Sequence, residues 1–255
     1  MPAIDFDDFS SLIITIILGL LMIGAYQLGR RIRSRLPKHH RTREMTEVVL
    51  SIIAMLVTFS AIALGLMLNS SLQKLDHLND LVSGLGERIV RLDNTLVEYG
   101  SDAQLAHVAL VNYTRREIAS LAGDGQPNMT RAALQEVESL IVRFDPPDSY
   151  RQMMQHDALE RYGDVADIRF RLVSEGGKSS NRPFELTLGL WLVLTYLVFG
   201  LNSEQNRYIG FALTLSMCAI LAAVFVILDV DTALGGLISV SHDPLVLALD
   251  QLHRG

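Results

Sequence analysis

Residues 48–68 read VVLSIIAMLVTFSAIALGLML and contain no Asp, Glu, Lys or Arg. A helix that rises ~1.5 Å per residue needs about 20 apolar residues to cross a hydrocarbon layer of roughly 30 Å, and this stretch has that length. Charged residues are also missing from 12–29, 186–201 and 208–228, whereas 70–185 is charged throughout. The sequence therefore predicts an integral membrane protein with four transmembrane helices, two before and two after a polar insertion.

The polar insertion has the apolar spacing of helices. Beyond Asn69 the second span continues with apolar residues three and four positions apart, which predicts one helix from about residue 45 to 98. This heptad-like seam consists of Leu72, Leu75, Leu78, Val82, Leu85, Ile89, Leu92 and Leu96. Three further helices are predicted to begin at Asp102, Thr130 and Ser149. We expect the apolar face of the first of these to be formed by Leu105, Val108, Val111 and Ile118.

The predicted fold is thus all-α, with a helical-bundle extramembrane domain inserted between two transmembrane pairs. Its segments are an N-terminal transmembrane pair with a basic connecting loop (1–69), the extramembrane bundle (70–185), a C-terminal transmembrane pair (186–229) and an interfacial amphipathic tail (230–255). In the tail, Asp243-Pro244 can start a short helix whose leucines we expect to lie at the membrane surface.

The connection between the first two spans carries the densest positive charge of the chain. Its basic residues are Arg30, Arg31, Arg33, Arg35, Lys38, Arg41 and Arg43. In a short loop such an excess marks the cytoplasmic side and favours contact with anionic lipid headgroups, so the bundle is predicted to face away from the cytoplasm. A net charge of −6 argues against a nucleic-acid partner. The single cysteine, Cys218, leaves no disulfide framework, which is compatible with a bacterial cytoplasmic membrane.

No enzymatic signature is present in the sequence, so we expect neither a catalytic residue nor a cofactor. His107 and His156 can face each other in the bundle, and Glu98, Glu117 and Asp157 lie near enough in sequence to build a metal site with them. The Glu-x-x-His spacing of a di-iron bundle is missing, however. We therefore favour a structural or surface role for these side chains and predict no metal.

Small or polar residues recur at helical spacing along the second span, at Ser51, Ala54, Thr58, Ala61, Gly65 and Asn69. Two interpretations stay open. Small residues allow close packing between helices, and hydroxyls reinforce it. Alternatively, the stripe lines a conduction path that is narrowed by Phe59, Ile62 or Leu66. A similar stripe on the fourth span, which includes Gly210 and Thr214, favours packing.

The C-terminal part of the chain carries three short motifs: Ile227-Leu-Asp-Val-Asp231, Gly236-Leu-Ile-Ser-Val-Ser241 and Pro244-Leu245. They resemble the closing signature of the bacterial bestrophin-like membrane protein family of unknown function. The signature residues are Asp229, Asp231, Gly236, Ser241 and Pro244. The chain departs from the family pattern at Thr232-Ala233, where Arg-Pro is usual, and at Ser83-Gly84, where Glu-Ala is usual.

Kinship to bestrophins implies a homo-oligomeric, passive anion channel whose second span lines the pore. The pore-lining candidates are then Ser51, Thr58, Phe59, Ile62, Gly65 and Asn69. Bestrophins hold their insertion in the cytoplasm, opposite to the orientation that the basic loop predicts. The alternative function is a non-conducting membrane scaffold or sensor whose helical bundle binds a partner protein. In either case the lipid bilayer is a partner, and in the first a small anion is another.

Overall fold

All regular secondary structure in the described residues is helical. The computed structural model describes residues 6–35, 43–122, 127–176, 182–202, 207–231 and 240–254. These residues form α1 (Phe6–Arg35), α2 (Arg43–Tyr99), a 3-10 turn (Ser101–Ala103), α3 (Gln104–Leu121), α4 (Pro127–Val142), α5 (Ser149–Gly176), α6 (Arg182–Asn202), α7 (Arg207–Asp231) and α8 (Asp243–Leu252). The predicted all-α fold is confirmed.

Four of these helices, α1, α2, α6 and α7, are long and apolar enough to cross a membrane. They correspond to the four apolar runs of the sequence, and the chain is a membrane protein on this ground. Helix α2 contains 57 residues, far more than one crossing needs. The seam that predicted its extension beyond the apolar run is therefore part of one helix with the second span.

The helices group into two units. The membrane unit comprises Met1–Gln73 and Ser179–Asp231, and the helical unit comprises Lys74–Lys178 and Thr232–Gly255. Helix α2 contributes to both, its apolar run to the first and its seam to the second. Each unit has its own apolar core.

In the membrane unit, α1 and α6 run parallel to each other. Gly189 lies beside the Leu18 side chain near one end of the pair, and Gly200 lies against the backbone of Tyr26 and Gly29 near the other. The core of this unit is formed by Met22, Leu192, Tyr196, Ile227 and other apolar residues of the spans. Parallel α1 and α6 place their C-terminal ends on the same side, as alternating membrane crossings require.

In the helical unit, the α2 seam is the centre of the core. Its residues from Leu78 to Leu96 are fully buried and contact the apolar faces of α3, α4, α5 and α8. The seam is confirmed from Leu78 onward, whereas Leu72 is exposed. Gly84 makes room for Ile168, because a Cβ there would lie 2.8 Å from its Cδ1 atom.

The predicted apolar face of α3 is right for half of its residues. Val111 and Ile118 pack, partly buried, against the core. Leu105 is 70% exposed and Val108 is also exposed, while the buried side carries Ala106, Leu110 and Tyr113. Both sets have helical spacing, and the set with alanines buries because small side chains let α3 approach its neighbours closely. The full buried set of the helix is Ala106, Ala109, Leu110, Tyr113, Thr114 and Glu117.

Two predicted helix starts also differ from the structure. Helix α3 is preceded by the 3-10 turn and its first turn has no side-chain cap, since the Asp102 carboxylate accepts a hydrogen bond from Arg151 at 2.9 Å instead. Helix α4 begins at Pro127, one turn before Thr130. Proline is tolerated in a first helical turn because the backbone N–H that it lacks has no partner there.

Helix α8 packs in the core of the helical unit. Leu245, Ala248 and Leu252 are buried, at the spacing of one helix face, and the Pro244 carbonyl lies close against Gly86 of α2. The leucines of the tail were expected at the membrane surface, but Leu245 and Leu252 are buried in this unit. The structure instead gives this apolar face a protein partner, because α2 carries a glycine where α8 begins.

Candidate functional site

The pore-lining candidates of the second span lie on its uncovered side. Ile53, Ser60 and Met67 form the buried side of the spanning part of α2, facing the rest of the membrane unit. At 100° per residue, most of the candidates are on the opposite side of the helix. All six are exposed: Ser51, Thr58, Phe59, Ile62, Gly65 and Asn69. No described part of the chain covers this face, which we call the open face of α2.

Close packing within the chain does not account for the small residues of the open face. A Cβ built on Gly65 would meet nothing within 4 Å. The hydroxyls of Ser51 and Thr58 donate to backbone carbonyls one turn earlier, Glu47 at 3.0 Å and Ala54 at 2.8 Å. Each hydroxyl oxygen can still accept a hydrogen bond. The face therefore offers two hydroxyl oxygens and a glycine to a neighbouring group.

Phe59 stands at the edge of the open face. Its ring packs at 5.3 Å between centroids against Trp191 of α6, and it lines a shallow apolar groove of about 210 Å³ together with Ile62 and Leu66. Phe59 is thus partly anchored to α6, whereas Ile62 extends from α2 with its side chain uncovered. The three apolar residues expected to narrow a conduction path, Phe59, Ile62 and Leu66, thus line one groove.

A second site lies on the covered side of α2 and was missed by sequence reasoning. A cleft of about 300 Å³ between α2, α6 and α7 has four hydroxyl groups among otherwise apolar walls. These belong to Ser60, Thr195, Tyr196 and Ser216, and we call the site the hydroxyl cleft. The signal in the sequence is that each of three spans carries hydroxyl residues, but which of them converge depends on how the helices are rotated about their axes.

The fourth-span stripe is likewise not used for packing inside the chain. Thr214 and Cys218 are exposed on α7, and the Thr214 hydroxyl donates to the Gly210 carbonyl at 2.9 Å. No described residue of the same chain covers them, so the helix packing predicted for this stripe stays a prediction.

The basic residues at the end of α1 lie beside the end of α6. Arg33 donates a hydrogen bond to the Leu201 carbonyl at 3.4 Å, and the Arg30 guanidinium stacks 5.9 Å from the centre of the Tyr26 ring. A cation at a helix C-terminus is favoured by the helix dipole. Arg31 and Arg35 are exposed. Lys38 and Arg41 lie outside the described residues, and Arg43 begins α2.

The C-terminal signature residues are divided between the two units. Asp229 is buried near the end of α7, which Asp231 terminates, and Gly236 lies outside the described residues. In the helical unit, the Ser241 backbone N–H donates to Asn79 at 3.0 Å, and its hydroxyl donates to the Asp243 carboxylate at 3.0 Å. Ser241 and Pro244 thus hold the start of α8 against α2, which is a structural role.

The histidines and carboxylates weighed as metal ligands have separate partners. Asp93 and His107 contact each other at 2.6 Å, and Glu98 accepts a hydrogen bond from Tyr150. Asp157 pairs with Arg161 at 2.8 Å. No three His, Cys, Asp or Glu side chains are grouped around a metal position among the described residues.

Glu117 is the most deeply buried ion pair member of the helical unit. Its carboxylate accepts a hydrogen bond from Arg169 at 3.0 Å, and its side chain is 3% exposed. Burial raises the pKa of Glu117, and the neighbouring Arg169 offsets part of that rise. Burial, and then the Glu117 carboxylate, raise the pKa of the Tyr113 phenol well above its ordinary value. These groups hold α3 and α5 together.

The fold and the sites define an all-α, multi-pass membrane protein in which two pairs of spans flank a helical insertion. The Bestrophin-like domain matches residues 19–245, nearly the whole chain, and the chain belongs to this family. The resemblance of the C-terminal motifs is thereby confirmed. Searches of curated proteins and of solved structures returned no match.

Proposed function

We propose that the chain assembles into a homo-oligomeric passive anion channel in the bacterial cytoplasmic membrane, with α2 nearest the symmetry axis. The observation that carries this proposal is the open face of α2. Its polar and small residues lie opposite the buried side of the helix and have no covering element among the described residues. A second copy of the chain would give these residues a neighbour and enclose them around an axis.

The chemistry of the open face suits a passive pore. Residues 48–68 carry no Asp, Glu, Lys or Arg, so a proton-coupled carrier has no titratable group there. Hydroxyls of Ser51 and Thr58 offer polar contacts along the face, and Ile62 provides an apolar constriction. The exposed arginines at the end of α1 supply positive potential at one end of the spans, which attracts anions.

The first test is the subunit number of the protein in mild detergent, by native mass spectrometry. A pentamer would support the bestrophin-like pore, whereas a monomer would leave no symmetric path and contradict the proposal. The second test is halide flux into liposomes. Thr58→Trp is expected to block flux, because the indole would fill the path. Thr214→Trp, an exposed threonine on α7, is the matched control and should conduct.

The alternative function is a scaffold or sensor that binds a partner protein through the helical unit. The observation in its favour is that this unit exposes large apolar side chains, among them Leu105, Met153 and Phe170. Exposed apolar side chains of this size suit a protein contact. Co-purification of the wild type with a stoichiometric partner, and loss of that partner in Leu105→Glu, would support this alternative. An absence of halide flux would support it as well.

The orientation of the helical unit is a separate part of the proposal. The basic end of α1 favours an orientation in which this unit faces away from the cytoplasm. Replacing Cys218 by Ala and the exposed Ser139 by Cys gives a chain with one reporter thiol. If the helical unit faces away from the cytoplasm, a membrane-impermeant maleimide should label this thiol in intact spheroplasts. Labelling only after lysis would show the opposite orientation.

A further inference from the structure

We propose that the hydroxyl cleft binds a small monovalent anion such as chloride, held by the hydroxyls of Tyr196 and Ser216 within the membrane unit. The choice of an anion rests on the proposed channel function, and the cleft itself rests on geometry. It lies on the covered side of α2, away from the open face. The site is therefore a binding position inside each protomer and not a part of the path around a symmetry axis.

Tyr196 is the residue that points to a ligand. Its side chain is 3% exposed, and its hydroxyl has no hydrogen-bond partner although it lines the cleft. The Ser216 hydroxyl on α7 lies beside the phenol, and the two hydroxyls interact without meeting the geometry of a full hydrogen bond. A buried phenol without a partner costs free energy that a bound acceptor would recover. The ring is oriented by an edge contact to Phe199, at 5.9 Å between centroids.

The other two hydroxyls are held by their own helices. Ser60 donates to the Leu56 carbonyl at 2.8 Å, and Thr195 donates to the Trp191 carbonyl at 2.9 Å. Both hydroxyls can rotate toward a ligand at the cost of those bonds. Tyr196 and Ser216 are therefore the first donors to an anion, and Ser60 and Thr195 complete its surroundings.

An anion fits these walls better than a metal cation does. No carboxylate lines the cleft among the described residues, whereas Ca²⁺ requires about six to eight oxygen ligands, several of them charged. The remaining walls are apolar, with Leu64 and Phe199 among them, so a hydrogen bond from a hydroxyl to a charged ligand is strong there. With Ser216 exposed at its edge, the cleft is also accessible to an ion.

The test uses the full-length protein in detergent and chloride as the probe. Thermal unfolding is followed as chloride replaces gluconate at constant sodium concentration. A ligand that binds the folded state raises the unfolding midpoint, so chloride should raise that of the wild type by a few degrees. Tyr196→Phe keeps the ring and removes one donor, and should weaken the apparent chloride affinity by about tenfold to a hundredfold. Ser216→Ala should produce a smaller loss in the same direction.

Thr214→Val is the matched control, because it removes an exposed hydroxyl from α7 outside the cleft. It should keep the chloride-dependent rise. A midpoint that is independent of chloride in the wild type would mean that the cleft holds water only and would overturn the inference. An unchanged chloride dependence in both Tyr196→Phe and Ser216→Ala would overturn it as well.

Failure of the channel proposal has a different signature. If wild-type liposomes show no halide flux but Tyr196→Phe removes the chloride-dependent stabilisation, the anion site stands and the channel does not. If the wild type conducts and its midpoint does not respond to chloride, the channel stands and the site in the hydroxyl cleft is refuted.

Discussion

Gly29 of α1 and Gly200 of α6 meet backbone to backbone. A Cβ atom built on Gly200 would lie 3.1 Å from the Gly29 Cα atom and 2.3 Å from the Tyr26 carbonyl oxygen, and one built on Gly29 would lie 2.3 Å from the Leu197 carbonyl oxygen. Small residues at such a crossing allow two spanning helices to approach closely. The pair therefore sets the distance between the two parallel helices at the end where Arg33 reaches Leu201.

Replacing either glycine should weaken the membrane unit. In Gly200→Ala the new methyl group must displace backbone atoms rather than a flexible side chain, which costs about 1–3 kcal/mol of unfolding free energy. The thermal unfolding midpoint in detergent should fall by several degrees. Gly24→Ala is the matched control on α1, since its Cβ would meet nothing within 4 Å. Equal midpoints for the two variants would show that the close crossing does not contribute to stability.

Loss of Arg169 should make the stability of the helical unit depend on pH. Arg169→Met leaves the buried Glu117 carboxylate unpaired, which costs about 3–5 kcal/mol at pH 8. Burial already raises the pKa of Glu117, and without Arg169 the rise becomes larger. For a carboxyl with a raised pKa, the folded state binds the proton more tightly than the unfolded state does. Stability is therefore fully present below the unfolded pKa and is lost as the pH rises through the folded pKa.

The measurement is the unfolding midpoint of the wild type and of Arg169→Met at pH 5 and pH 8. The deficit of the variant should be smaller at pH 5, where Glu117 can take up a proton. The double variant Arg169→Met with Glu117→Gln removes the titrating group and should lose the additional pH dependence that the single variant shows. A deficit of the single variant that grows toward pH 5 would contradict this assignment.

The partner of α8 can be identified by comparing two leucines of the same helix. Leu245 is fully buried in the helical unit, whereas Leu247 is 66% exposed. Leu245→Ala should lower the unfolding free energy by about 2–5 kcal/mol, and Leu247→Ala should change it by less than about 0.5 kcal/mol. Chemical unfolding of the detergent-solubilised protein measures both. If Leu247→Ala were less stable than Leu245→Ala, α8 would not pack through Leu245, and the tail would be assigned to the membrane surface again.

Long, regular patterns were the features that the sequence predicted well. The four apolar runs define the spanning helices, and the seam from Leu78 to Leu96 keeps one spacing over several turns, so no other structure satisfies it. Leu105 and Val108 of α3 were assigned to the wrong face because they compete with Ala106 and Leu110, which also have helical spacing. The prediction chose the first pair because both side chains are large and apolar. The structure buries the second pair because the small alanine allows closer helix packing.

Contacts between residues that are distant in the chain could not be predicted from the sequence. Pro244 meets Gly86, and Ser241 meets Asn79, more than a hundred residues apart along the chain. Tyr196 gave no signal as a site residue, because a tyrosine in a span is compatible with many orientations. Its convergence with Ser60 and Ser216 depends on the rotation of three helices about their axes, which apolar runs without periodicity do not define.

Ile62 provides the sharpest test of the open face as a conduction path. Its side chain is uncovered on α2 and has little contact to lose within the chain, so Ile62→Ala should leave the fold intact. If Ile62 forms an apolar constriction, a smaller side chain widens and wets it, and halide flux into liposomes should increase. Leu215→Ala, an exposed residue of α7, is the control and should leave flux unchanged. Equal flux in the wild type and in Ile62→Ala, with Thr58→Trp also conducting, would show that the open face does not line the conduction path. This result would favour the scaffold function.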